Sequence, residues 1–250
     1  MQCKKYKKLD NAPIKQVVLG LELNGLFSSN DAIHAFENIF PYKDSYNKRK
    51  RLNSVTVDFS EGPKILKNSL EALEIISADE CQVIHIEANK IFYTDLNKYI
   101  DFDTFYNKFC PVLDEVIKHF GGETDVMGVG LRYVNNFKVP INEVNKKFKI
   151  LPTINCKCEN ETYAKILNYF TITNIVADFN PSIEANIKTA FRALKLNKLE
   201  ILFDIDTYYE DKFKLKDINE LKNNIMELKE FKNHIFFDNF VDIDNMEEFN

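Results

Sequence analysis

Residues 126–140, VMGVGLRYVNNFKVP, constrain the fold more than any other stretch of the chain. Valine, leucine, tyrosine and phenylalanine alternate there with small or polar residues, which is the period of a long strand with one face in the core. Arg132 and the pair Asn135–Asn136 are polar groups set mid-strand among these apolar ones. A guanidinium so placed needs a carboxylate or several carbonyls, so Arg132 is expected to clamp the structure, with the floor of a binding site as the second reading. Asn135 shares that binding reading.

Strand signals surround it. Residues 16–26 (QVVLGLELNGL), 53–60, 69–77, 81–88 and 90–96 have strand character; the last four form an antiparallel meander, its final pair joined by a tight turn at Asn89. Between 16–26 and 53–60, Ser28, Ser29 and Asn30 are N-cap candidates for a helix carrying Ile33, Phe36, Ile39 and Phe40, which Pro41 ends. Residues 101–122 read as a helix with Phe102, Phe105, Phe109, Leu113, Val116, Ile117 and Phe120 on one face and Gly121–Gly122 at its end. Pro111 is expected to kink this helix or to open a second part of it.

In the second half, 148–152, 164–179, 183–195 and 199–211 read as successive strands. A second amphipathic helix over 216–232 has Ile218, Leu221, Ile225, Leu228 and Phe231 as its stripe, with Asp217 and Glu220 as a capping-box variant. The order of strand 83–96, charged connector and helix 101–120 recurs as strand 199–211, connector and helix 216–232. The expected fold is therefore α+β: antiparallel sheets in two pseudo-repeated meander-plus-helix units, covered by a few long amphipathic helices. An N-terminal half over 1–145 and a C-terminal half over 146–250 would pack as one compact unit.

With 250 residues, 45% apolar, and a net charge of −5, such a chain can bury a large core, and disorder is disfavoured. Its five cysteines (Cys3, Cys81, Cys110, Cys156, Cys158) form no secreted disulfide framework, which points to the reducing cytoplasm. The basic start MQCKKYKKLD has no apolar segment behind it, and no run of about 18 apolar residues occurs, so neither secretion nor a membrane span is expected.

Chemistry-bearing candidates are few. Lys43, Lys48, Arg49, Lys50 and Arg51 stand against Asp44 alone, and the leader adds four lysines against Asp10. They read as a basic loop, either solvated or binding an anion or nucleic acid. Asp204 and Asp206 project from one face of the 199–211 strand and, with Glu210, offer oxygen ligands to a hard cation such as Mg²⁺; a solvent-facing polar side is the plainer reading. Cys156 and Cys158 lack the second pair that zinc requires. No glycine-rich phosphate loop, G-x-S-x-G or H-E-x-x-H occurs, and His34 and His85 read as surface residues. No cofactor is expected. The tail carries Asp238, Asp242, Asp244, Glu247 and Glu248 with no base, and this separation from the basic leader suggests docking to another protein or to a second copy.

Three stretches, PIKQVVLGLEL, FYTDLNKYIDFDTFYNKFCPVLDEV leading into GLRYVNNFKVP, and LEILFDIDTYYE followed by a helix and HIFFDNFV, together resemble a sporadically distributed bacterial family of about this length with no established function. The segment Leu131-Arg132-Tyr133-Val134-Asn135 is the most diagnostic piece. No catalytic residues attach to that family, and its patchy distribution implies a setting beside mobile or phage-defence genes. The resulting expectation is a non-enzymatic partner-binding or regulatory protein. A metal-dependent hydrolase or nuclease using Asp204, Asp206 and Glu210, and a nucleic-acid-binding accessory, are the alternatives.

Overall fold

The alternating stretch forms β6 (Asp125–Pro140), which lies between β1 (Ile14–Leu23) and β9 (Lys198–Tyr209) near the middle of a ten-stranded sheet. The computed structural model describes residues 6, 9–24, 45–58, 64–149, 168–194, 198–242 and 245. Outward from β1 come β5 (Lys90–Asp95), β4 (Gln82–Ile86), β3 (Lys64–Ile76) and β2 (Lys48–Asp58). Outward from β9 come β8 (Asn180–Leu194) and β7 (Asn168–Ala177), while β10 (Phe213–Lys214) pairs with β6 past the end of β9. Every pairing is antiparallel. The hairpin at Asn89 forms as its sequence suggests, closed by the Glu87 N–H donating to the Lys90 carbonyl at 2.8 Å.

Strand alternation sorts β6 into two faces. Val129, Leu131, Tyr133, Asn135, Phe137 and Val139 are buried, whereas Arg132, Val134, Asn136 and Lys138 take the other side. In register with them, Leu19 of β1 meets Leu131 and also Tyr93 of β5, and Ile205 of β9 meets Tyr133, so one apolar face runs across the sheet. Against it lie α1 (Phe102–Phe120) and, after the single-turn α2 (Val144–Lys147), α3 (Ile218–Asn233). Phe105 and Phe109 of α1 pack on Tyr93, and Lys222 and Lys229 of α3 lie over the Tyr106 and Phe102 rings of α1.

Several expectations need correction. One sheet replaces the several expected, and the cover of a few long helices is not supported: among the described residues there are two long helices, both on the apolar face. The opposite face carries Arg132, Asn136, Lys138, Asp204 and Asp206 at its centre, and Phe170, Ile172 and Val176 stand exposed on it at β7. Pro111 does not open a second helix, because buried Phe109, Val112 and Leu113 hold α1 to the core on both sides of it. Asp101, the first residue of the expected run, caps α1 by accepting from the Thr104 N–H at 2.8 Å, and Gly121 leaves it at φ 82° as expected of the closing glycine. Asp217 makes no side-chain cap on α3, so the capping box does not form. The expected helix of 28–40 and the cysteines at 156 and 158 lie outside the described residues. β6, from the expected first half, pairs with β9 of the second along twelve positions, so a single sheet runs through both. No described helix is long and apolar enough to cross a membrane.

Candidate functional site

The stripe of α3 steps from Leu221 to Ile225 to Leu228, all fully buried, and the next step of four reaches Lys232. A core position is thus filled by a lysine. Only 8% of Lys232 is exposed; its Nζ donates to Asn233 Oδ1 at 2.6 Å and sits 4.1 Å from the centre of the Tyr133 ring. Among the described residues, no carboxylate lies within ion-pair distance of it. Burial strips the ammonium of water and the Lys229 ammonium repels it, which pushes the amine down to about 7, against a weaker upward pull from Glu230. The Tyr133 ring face also favours the charged form.

Lys232 lines a cavity of about 220 Å³ between the C-terminal end of α3, the approach to α1, and β6. β6 supplies Asn135, whose Nδ2 donates to the Phe203 carbonyl at 3.0 Å and so ties β6 to β9. Tyr99, just ahead of α1, contributes its ring, and its hydroxyl is 3.5 Å from that of Tyr133. Burial raises both phenols, Tyr99 to about 12 and Tyr133 well above its ordinary value, so both stay neutral across the physiological range. Lys229, Asn233, Asp101 and Asp103 add polar groups to walls that include Phe102 and Phe236. The site therefore combines a partly uncharged primary amine, a neutral tyrosine, amides and an apolar lining, the combination expected of a small-ligand pocket.

Arg132 and Asn135, three residues apart on β6, fall on opposite faces, so they form no common site. Arg132 grips Asp204 of β9 in a fork, Nε to Oδ1 at 2.8 Å and Nη2 to Oδ2 at 2.7 Å, with side-chain exposures of 38% and 5%. This is the clamp geometry. Asp206 stands directly opposite Arg132 in register, and its carboxyl is pushed up, by burial first and also by the Asp204 charge, against a downward pull from Arg132. Asp204 and Asp206 do share a face, but Asp204 is engaged by the guanidinium and Glu210 lies exposed past the end of β9. Among the described residues, no three His, Cys, Asp or Glu side chains are arranged to hold a metal ion.

Lys48, Arg49, Lys50 and Arg51 belong to the edge strand β2 and not to a loop. Alternation sends Lys48 and Lys50 to one side and Arg49 and Arg51 to the other, which breaks up the expected patch. Lys48 pairs with Glu80, Lys50 lies 3.3 Å from Glu74, and Arg49 donates to the Tyr46 and Lys48 carbonyls. His85 lies between Glu74 and Glu87, consistent with a polar surface role. The leader and the tail meet within one chain: Tyr6 stacks on Phe237 and donates to Asp238, which also receives His234 Nδ1 at 2.8 Å. The sequence reading missed Lys232, Lys229, Tyr99 and Tyr133. The available signal was a lysine at stripe spacing in an otherwise apolar helix face. No family model and no curated protein sequence matches the chain.

Proposed function

We propose that the protein is a non-enzymatic binding or regulatory component whose ligand enters the Lys232 cavity. One observation carries this reading: a lysine nine-tenths buried in the wall of a cavity, with no carboxylate among the described residues within ion-pair distance of its amine. A buried charge without a partner lowers stability, and a leucine or methionine at position 232 would complete the apolar stripe. Lysine at this position therefore costs stability, and a ligand seated in the cavity is the contact that would offset that cost. The resemblance in the central strand supports an accessory role at mobile or phage-defence loci, acting on another protein or on a second copy in the cytoplasm. A hydrolase built on Asp204, Asp206 and Glu210 has less support, because Arg132 occupies the first of these and the third stands apart.

Ligand-observed NMR of the full chain against a library of small metabolites tests the reading, with Lys232→Met in parallel. Compounds that bind the parent and lose binding in a well-folded Lys232→Met protein are expected. Absence of any binder, or binders indifferent to the substitution, would overturn it.

A further inference from the structure

We propose that the Lys232 cavity captures a small aldehyde or ketone as a reversible imine on Nζ. This rests on the reading of the cavity as a ligand site and gives the ligand its chemical class. Three features of the geometry point to it. The amine is buried in a cavity wall and held by Asn233 and the Tyr133 ring, so it is presented in a restricted orientation and not as a mobile surface group. Lys229, three residues earlier on α3, lines the same cavity, and desolvation together with a neighbouring cation is the arrangement that turns a lysine into a nucleophile. The charges around the cavity do not add up to a positive field: Asp101 and Asp103 from the start of α1, with Glu230 nearby on α3, stand against Lys229 and Lys232, and the neutral Tyr99 lies in the wall beside them. A purely anionic ligand would find little net positive field there, whereas a neutral carbonyl needs none.

The size is that of a small molecule. About 220 Å³ holds roughly seven water-sized groups at ~30 Å³ each. In the reaction the Nζ lone pair adds to the carbonyl carbon, and one proton moves from nitrogen to oxygen to give a carbinolamine. The C–O bond then breaks, oxygen leaves as water with a second proton from nitrogen, and C=N forms; carbonyl plus amine becomes imine plus water, with no change of oxidation state. Tyr99 is the neutral hydroxyl of the cavity wall able to pass these protons. The depressed basicity of Lys232 helps: an amine near 7 is about half free base at pH 7, whereas an ordinary exposed lysine is about one part in three thousand.

The experiment is reductive trapping of the intact chain with butanal and cyanoborohydride at pH 7, followed by peptide mass spectrometry of every lysine. Butylation at Lys232 at least tenfold faster than at exposed lysines is expected, with the preference falling at pH 10 as those lysines lose their protons. Labelling of Lys232 no faster than theirs overturns the imine. Parallel thermal-shift arms with butanoate and butan-1-ol then separate the two claims: stabilisation by either, absent in Lys232→Met, leaves the cavity a ligand site of another class, and stabilisation by neither removes both.

Discussion

Arg132 holds both carboxylate oxygens of Asp204 from the neighbouring strand, at 2.8 and 2.7 Å, with the carboxylate buried and the guanidinium partly exposed. Removing the arginine leaves a desolvated charge without its partner. Buried pairs broken this way cost 3–5 kcal/mol, and screening at the exposed guanidinium reduces this. Arg132→Ala is expected to lose about 2–4 kcal/mol in urea unfolding, and Arg132→Ala with Asp204→Leu less than the sum of the single changes. An unchanged midpoint with selective loss of ligand or partner binding would make Arg132 a site residue instead.

Gly128 gives room to Tyr208. A Cβ at position 128 would stand 2.0 Å from the Tyr208 hydroxyl oxygen, which donates to Glu22 at 2.9 Å. Gly128→Ala should therefore displace the ring and cost about 1–3 kcal/mol, as overpacking does. Most of that loss should vanish in a Tyr208→Ala background. An equal cost in both backgrounds would contradict the contact.

Magnesium or manganese at millimolar concentration is expected to leave the melting temperature unchanged, in the parent and in Asp204→Asn with Asp206→Asn alike. Binding would stabilise the folded chain by linkage, so a rise abolished by the two substitutions would restore the hydrolase reading.

Much of the fold was legible because period dominates it. The two-residue alternation of β1 and β6, the Asn89 hairpin and the apolar faces of α1 and α3 all follow from local spacing. The β2–β5 meander was legible because its strands are neighbours in sequence, but the place of β1 between β5 and β6 was not, since it depends on contacts between residues far apart in sequence. Lys48–Arg51 misled because an edge strand tolerates charged side chains on both faces, which gives a loop-like composition. Within the site, Asn135 was singled out from the buried face of β6, but Lys232 escaped notice. A terminal helix lysine ordinarily faces solvent and complements the dipole, and only the steps from Leu221 through Ile225 and Leu228 show that this one turns inward.

Burial of Lys232 should also write itself into stability. The unfolded chain holds the lysine proton up to about 10.5, the folded chain only to about 7, so between these values the unfolded state binds more protons and stability rises with pH. Below about 7 both states are charged and the full cost applies. Lys232→Met should exceed the parent in stability at pH 6.5, and the gap should shrink by about 3 kcal/mol by pH 9.5, at 1.36 kcal/mol per pH unit. Tyrosines and Cys110 titrate alike in both proteins and cancel in the difference. Parallel profiles would contradict the burial of an ammonium.

The most direct measurement is the titration of Lys232 itself, followed through its Cε resonance in ¹³C-lysine-labelled protein and assigned by its loss in Lys232→Met. A midpoint near 7 is predicted, moved or abolished when a cavity ligand binds. A midpoint at the ordinary lysine value, unmoved by any compound that binds, would contradict the assignment of this cavity as the functional site.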